Sequence, residues 1–192
     1  MSNEQTILEN LKEETKKLQN LYGTHGFEHS ERVFETCKFL GSSLGADMSV
    51  LLPAALLHDI GRMKDNHANA GAKITGSILR KYGFGTQHIK KIKDAIKSHS
   101  FTAKDPPNTL EAKILSDADK IDALGALGIY RAATYSGENP RSIIDFIKHF
   151  HEKLLKLNEL LYTEEAKNIA EDRKKFMLNY LNQLNKEIYD QK

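Results

Sequence analysis

The chain has 192 residues, of which 40% are hydrophobic and 28% are charged, and its formal net charge is +2 at pH 7. This length and composition predict one globular domain over 1–192 and exclude a disordered or fibrous chain. The nearly balanced charge argues against a nucleic-acid or membrane partner, and the single cysteine, Cys37, excludes an intramolecular disulfide and a cysteine-rich zinc site.

Apolar residues recur every three or four positions, with almost no alternating Val, Ile and Thr runs, which predicts an all-α protein. In chain order, we expect a first helix over about 4–22 and a second that begins at His29. Further helices are expected over about 49–60, 67–81, 86–98, from Asn108 through Asp119, and over 140–158. A last helix is predicted after Thr163, so that the C-terminal helices cover 140–190. No apolar run approaches the roughly 18 residues that span a bilayer, and the polar N-terminus lacks a signal pattern, so we expect a cytoplasmic protein.

Several helix ends have sequence signals. Ser49 is the predicted N-cap of the helix over 49–60, and Gly61 suits its end. Asn108, followed three residues later by Glu111, resembles an N-cap with its reciprocal partner. Asn139 is the predicted N-cap of the helix that begins at 140.

The last helix has an apolar stripe on one face. Its members are Ile169, Phe176, Met177, Tyr180, Leu181, Leu184 and Ile188. Such a stripe packs against other helices of the same chain or against a second subunit. A homodimer is therefore one of two open alternatives.

His58 and Asp59 follow the apolar run 51–57, at the C-terminal turn of a predicted helix. With His29 and Asp119, they bring imidazole nitrogens and carboxylate oxygens from three predicted helices, which is how helical bundles build metal sites. This mixed set suits Mn, Fe, Ni, Zn or Mg. Neighbouring helical residues diverge by about 100°, so both members of the pair reach one ion only beside the helix end. The alternative is a buried ion-pair network that only positions helices.

Three ordered segments carry a family resemblance: 26–33 around His29, 56–61 around His58 and Asp59, and 117–122 around Asp119. They resemble the motifs of the HD superfamily of metal-dependent phosphohydrolases, over roughly residues 25–135. Segment 110–131 further resembles stand-alone bacterial and archaeal members. The resemblance implies a single-domain HD-type helical bundle of about 8–10 helices around a central metal site.

The resemblance also implies roles for individual residues. The metal ligands would be His29, His58, Asp59 and Asp119, with Asp119 preferred to Asp117 because the family ligand precedes a lysine. Asp117 and Asp122 would then be supporting residues. The implied cofactor is a divalent ion, Mn in preference to Fe, Ni, Zn or Mg.

His67 and His99 occupy the stations at which some family members hold a second metal. His67 could instead act as the acid toward a leaving oxygen, or be a helix cap or surface residue. His99 could equally belong to an ordinary helix terminus. The four other histidines, which lack a spacing that joins them to the site, are left out: His25, His88, His149 and His151.

Two cations next to ligands are candidates for phosphate contact. Arg62 and Lys120 could neutralise phosphoryl oxygens, and Arg62 could do so in a bidentate manner. Arg131 is a weaker candidate, and a solvated charge is the alternative for all three. Three residues are assigned to catalysis. Asp59 could orient the attacking water, His67 could protonate the leaving oxygen, and Lys120 could stabilise the negative charge that develops on the phosphoryl group.

These assignments predict a phosphohydrolase of a small phosphorylated metabolite, with a nucleotide as the favoured substrate and a monoester or pyrophosphate bond as the target. The chain has neither a P-loop nor a Gly-rich dinucleotide turn. Two alternatives stay open: a hydrolase or phosphodiesterase of cyclic or signalling nucleotides, and a non-catalytic module that binds metal and nucleotide. A redox or oxygenase reaction at a two-iron site is a third.

Overall fold

The computed structural model describes residues 3–61, 67–100 and 105–189. Within these ranges the chain forms nine α-helices, one 3₁₀ helix and no strand, which confirms the all-α class. The helices are α1 (Asn3–Leu18), α2 (Phe27–Leu44), α3 (Met48–Leu57), α4 (His67–Lys81), α5 (Thr86–Ser98), α6 (Leu110–Asp122), α7 (Gly125–Glu138), α8 (Ile143–Glu152) and α9 (Glu164–Tyr189). The 3₁₀ helix Leu154–Leu160 lies between α8 and α9. None of the helices in these ranges combines the length and apolarity that crossing a bilayer requires.

The chain separates into two compact units, Met1–Asp119 and Lys120–Lys192. In the first unit, α3 packs against α1, α2 and α5, and α4 packs against α5. In the second unit, α7 packs against α9, and the 3₁₀ helix contacts both α8 and α9. The boundary falls inside α6, directly after Asp119.

Helix α3 is enclosed by its neighbours. All eight residues from Val50 to Leu57 are buried. Its closest neighbour is α2, where a Cβ added to Gly41 would lie 2.5 Å from Cδ2 of Leu51. Gly41 therefore lets α2 approach the first turn of α3 closely, where a larger residue would displace the side chain of Leu51.

The N-cap predicted for α3 was wrong. The cap is Asp47, whose side chain accepts a hydrogen bond from the backbone N–H of Ser49 at 3.1 Å. Both residue types cap helices well, but Ser49 already lies within the first turn and supplies the donor. The helix also ends at Leu57, three residues before the predicted end.

The predicted cap of α6 was also displaced by one residue. Oγ1 of Thr109 accepts from the backbone N–H of Ala112 at 3.2 Å, so Thr109 takes the role predicted for Asn108. Glu111 accepts from the backbone N–H of Asp47 at 2.9 Å. Glu111 thus contacts the cap residue of α3 and not, as predicted, the N-cap of its own helix.

Two further predicted boundaries differ from the structure. Asn139 ends α7, its N–H donating to the carbonyl of Tyr135 at 2.8 Å, and α8 is capped by Ser142 instead. Helix α1 ends at Leu18 and not at residue 22, and the chain then turns at Gly23, whose φ is +104°. Glycine adopts this φ much more readily than other residues.

Candidate metal centre

The four predicted ligands come from three elements of the first unit. His29 is the third residue of α2, His58 caps the C-terminal end of α3 with Asp59 directly after it, and Asp119 belongs to α6. The side chains of both histidines are fully buried, and that of Asp59 is 4% exposed. Asp119 reaches the surface with 22% of its side chain. The structure therefore brings all four together in a mostly buried place.

Their nitrogen and oxygen atoms face one another. Nε2 of His29 lies 3.2 Å from Nε2 of His58, 3.3 Å from Oδ1 of Asp119 and 3.7 Å from Oδ2 of Asp59. Nε2 of His58 also lies 3.7 Å from the same Asp59 oxygen. The candidate ligand atoms of His29, His58 and Asp119 all lie within 4.8 Å of one another. Two imidazoles and two carboxylates at these distances fit a divalent cation.

The backbone fixes the tautomer of His58. Its Nδ1 lies 2.7 Å from the carbonyl oxygen of Ala55, which can only accept, so Nδ1 carries the proton and Nε2 presents its lone pair to the site. Burial lowers the pKa of His58 to about 4, which keeps this imidazole neutral near pH 7.

The Asp119 carboxyl is ionised. Burial alone would raise its pKa, but the hydrogen bond from His29 holds the pKa well below the usual range of an aspartate. A neutral imidazole and an ionised carboxylate are the protonation states in which these side chains bind metal.

Four imidazole rings form a row through the site. The ring centroids of His25 and His29 lie 5.7 Å apart, those of His29 and His58 5.1 Å apart, and those of His58 and His99 also 5.1 Å apart. Each pair meets edge to face, with interplanar angles of 73° to 85°. The row thus adds His25 to the predicted site at one end, and at the other end it reaches His99, the predicted candidate for a second metal.

His99 is the buried end of this row. It caps α5 and is 7% exposed, and its Nδ1 donates to the carbonyl of Ile96. Its Nε2 has no hydrogen-bond partner in the described ranges, although its candidate ligand atom lies within 4.8 Å of those of His58 and Asp59. A buried acceptor of this kind is suited to a cation, so His99 stays a candidate for a second metal.

His25 is the more exposed end of the row, and the sequence prediction missed it. Its Nδ1 lies 3.1 Å from Oδ2 of Asp59, and 35% of its side chain is exposed. Because His25 lies in the turn before α2, helical spacing could not connect it with the site. The available signal was its position four residues before His29, in a turn bounded by Gly23 and Gly26.

The other excluded histidines lie elsewhere. Nε2 of His88 contacts Oγ of Ser49 at 2.9 Å, near the opposite end of α3 from His58. His149 and His151 belong to α8 in the second unit.

Lys120 follows Asp119 along α6 but belongs to the second unit. It is 7% exposed, and its Nζ lies 5.3 Å from the ring centroid of Tyr162. A buried lysine over an aromatic face is partly stabilised by the ring, and its role toward phosphate stays a prediction. Arg62 and the side chain of His67 lie outside the described residues.

The two supporting candidates, Asp117 and Asp122, and the phosphate-contact candidate Arg131 are all buried. Asp117 is fully buried on α6. Asp122 accepts from Arg131 in a buried ion pair of 3.0 Å within the second unit. The charge of Arg131 is therefore engaged by a carboxylate.

Comparison with known proteins gives one family and several close structures. The family model described as "HD domain" matches residues 26–124, a range that contains all four predicted ligands. The uncharacterized protein YpgQ of Bacillus subtilis is 31% identical over 175 residues, which cover 85% of this chain and 84% of YpgQ. The crystal structure of YpgQ in complex with ADP has a TM-score of 0.82 at 28% identity and covers 95% of this chain and 98% of that one.

Two further proteins are similar. An HD-superfamily hydrolase from Bacillus thuringiensis has a TM-score of 0.82 at 30% identity, over 98% of this chain and 100% of that one. Ribonuclease Y of Geobacter metallireducens is 33% identical over 106 residues, which are 55% of this chain but only 19% of the ribonuclease. The similarity to the ribonuclease is thus confined to a small part of that protein.

Proposed function

The chain belongs to the HD domain family, and from this premise we propose that it is a metal-dependent phosphohydrolase that acts on a small nucleotide. The observation that carries the proposal is the convergence of His29, His58, Asp59 and Asp119 on one mostly buried place. A buried ion-pair network is the alternative for such a cluster. The His58 imidazole, kept neutral by burial, supports ligation, since an ion-pair role would need its charged form.

The four residues would hold one divalent cation, and we propose Mn in preference to Fe, Ni, Zn or Mg. When bound, such an ion supplies a Lewis acid for a phosphoryl oxygen and a water of lowered pKa. His99 and His67 are the proposed ligands of a second ion. The partnerless Nε2 of His99 supports its part in this assignment among the described residues.

The remaining steps are assigned to side chains of the chain itself. Asp59 would orient the attacking water, and Arg62 and Lys120 would stabilise the negative charge that develops on the phosphoryl oxygens. His67, if it does not bind a second ion, would instead protonate the leaving oxygen. Each of these roles is a proposal from the family pattern and from the chemistry of the side chain.

The substrate class rests on a relative. YpgQ, which is similar over nearly its whole length, has been crystallised with ADP, and this supports a nucleotide for the present chain. We propose hydrolysis of a pyrophosphate or phosphomonoester bond. A second candidate, cleavage of a phosphodiester, is favoured by the similarity to ribonuclease Y over 106 residues.

A release assay tests both candidates. The purified protein would be incubated with nucleoside mono-, di- and triphosphates, a cyclic dinucleotide and a short RNA, each with Mn, Mg, Ni or Zn, while phosphate, pyrophosphate and nucleotide products are measured. We expect release from a mononucleotide with Mn. If only the cyclic dinucleotide or the RNA gives products, the phosphodiesterase is favoured. Tight nucleotide binding without turnover of any substrate would favour a non-catalytic module.

Variants test the site. We expect His58→Ala and Asp59→Ala to abolish Mn-dependent release while the protein stays folded by circular dichroism. His151→Ala is the matched control, because it removes an exposed histidine from α8. Unchanged turnover in His58→Ala or Asp59→Ala would show that the site assignment is wrong.

A further inference from the structure

The turn between α1 and α2 holds His25 in a defined place. Gly23 turns the chain with φ +104°, and the N–H of Phe27 donates to the carbonyl of Asn20 at 2.7 Å, closing the turn. A Cβ on Gly26 would lie 2.5 Å from a backbone oxygen. Both glycines are therefore required by the backbone, and the position of His25 is set by the fold.

The contact of His25 with Asp59 has a definite polarity. The Asp59 side chain is 4% exposed, and in its ionised, metal-binding form the carboxylate accepts a hydrogen bond from Nδ1–H of His25 across the 3.1 Å contact. The His25 ring also meets the His29 ring edge to face at 85°. His25 thus touches one proposed ligand by a hydrogen bond and a second by packing.

Asp59 is contacted from outside α3, by His25. His58 and Asp59 are adjacent where α3 ends, and neighbouring residues of a helix diverge by about 100°. The backbone bond from Ala55 holds the ring of His58, but that bond does nothing for the next side chain. The hydrogen bond from His25 comes from outside the helix and constrains the orientation of the Asp59 carboxylate.

We propose that His25 is a positioning residue of the metal centre, whose Nδ1–H holds the Asp59 carboxylate in the orientation that lets it share an ion with His58. The inference rests on the proposed metal site. Because Nδ1 is used to donate to Asp59, the same atom does not bind the ion. The needed property of His25 is an N–H donor at this point, which an asparagine amide also provides.

Cobalt binding tests the inference without relying on activity. Metal-free protein would be titrated with Co²⁺, with affinity measured by calorimetry and ligand geometry by the visible absorption of the bound ion. We expect His25→Leu to weaken Co²⁺ binding by about 10–100-fold and to alter the absorption bands, the usual effect of losing a support behind a ligand. His25→Asn is expected to restore most of the affinity and the wild-type spectrum.

Three comparisons separate the possible failures. His151→Leu, an exposed histidine on α8, should bind Co²⁺ as wild type does, and His29→Ala should lose binding. If His29→Ala binds like wild type, the proposed metal site is wrong. If His29→Ala loses binding but His25→Leu keeps it, only the role of His25 is wrong.

The asparagine variant decides between positioning and ligation. If His25→Asn binds as weakly as His25→Leu, a ring nitrogen is required and the positioning role is overturned. Circular dichroism and melting of the metal-free variants establish folding, and His25→Ala replaces His25→Leu in the same titration if the leucine variant does not fold.

Discussion

Helices α3 and α9 bury their residues in opposite ways. α3 has ten residues, and the eight from Val50 to Leu57 are all buried, whereas α9 has 26 residues with four buried ones, Ala166, Ala170, Met177 and Leu181. An amphipathic helix such as α9 leaves its polar residues in water. A helix that is enclosed on every side carries whatever follows it into the interior, and α3 is followed by His58 and Asp59.

The difference explains why the polar groups at the end of α3 have so many partners. A buried imidazole or carboxylate is costly unless it is hydrogen-bonded or paired. Ala55 satisfies Nδ1 of His58, and His25 contacts Asp59. The enclosure of α3 thus makes a polar cluster necessary at its end, and this is also the arrangement that a metal ion needs.

The largest expected contrast is in stability. Leu51 on α3 is fully buried and Leu178 on α9 is 37% exposed. Leu51→Ala should lower the free energy of unfolding by about 2–5 kcal/mol, because it leaves a cavity in tightly packed surroundings. Leu178→Ala should lower it by only about 1 kcal/mol, because part of this side chain already lies in water. Urea unfolding measures both, and equal losses would contradict the contrast.

Local sequence signals predicted much of this architecture. The periodicity and flanking residues of α4 and α5 predicted their bounds of 67–81 and 86–98, which the structure confirms. Helix α7, Gly125–Glu138, was not predicted, because glycines interrupt its apolar pattern. Gly125, its first residue, has φ +73°, a backbone conformation that glycine adopts readily and that turns the chain into the helix.

The predicted ligands and the missed histidine show the limit of such signals. His29, His58, Asp59 and Asp119 were predicted from motif order, and the structure brings their side chains together. His25 reaches Asp59 through a turn, across 34 positions of sequence. No local period describes such a contact, because it depends on how α2 and α3 pack.

Acidification should lower the free energy of unfolding of the metal-free protein, because His58 is buried at the C-terminal end of α3. The pKa of His58 is about 4 in the folded state and about 6.5 when unfolded, so the unfolded state binds the proton more readily between these values. Stability contributed by neutral His58 is present above about pH 6.5 and is lost as pH falls toward 4. The full difference corresponds to about 3 kcal/mol.

Urea unfolding in the presence of a chelator, at several pH values from 7 to 4, measures this loss. His58→Asn should unfold with a smaller slope of free energy against pH, because the titrating ring is gone. The same slope in both proteins would show that His58 does not titrate in this way.

The smallest expected effect lies at the solvent-facing start of α3. Asp47→Ala removes the acceptor for the N–H of Ser49 and should cost about 1 kcal/mol, while Asp47→Asn keeps a capping oxygen and should cost little. The hydrogen bonds from Ser49 hold the pKa of Asp47 below its usual value, so its contribution is present above about pH 4 and is lost as pH falls further. Asp47→Asn should abolish that part of the pH dependence. Asp47→Ala could instead lower the free energy of unfolding as much as Leu51→Ala does. In that case α3 depends on its N-cap as strongly as on its burial, and enclosure by α1, α2 and α5 is not what holds the helix and its C-terminal His58 and Asp59 in place.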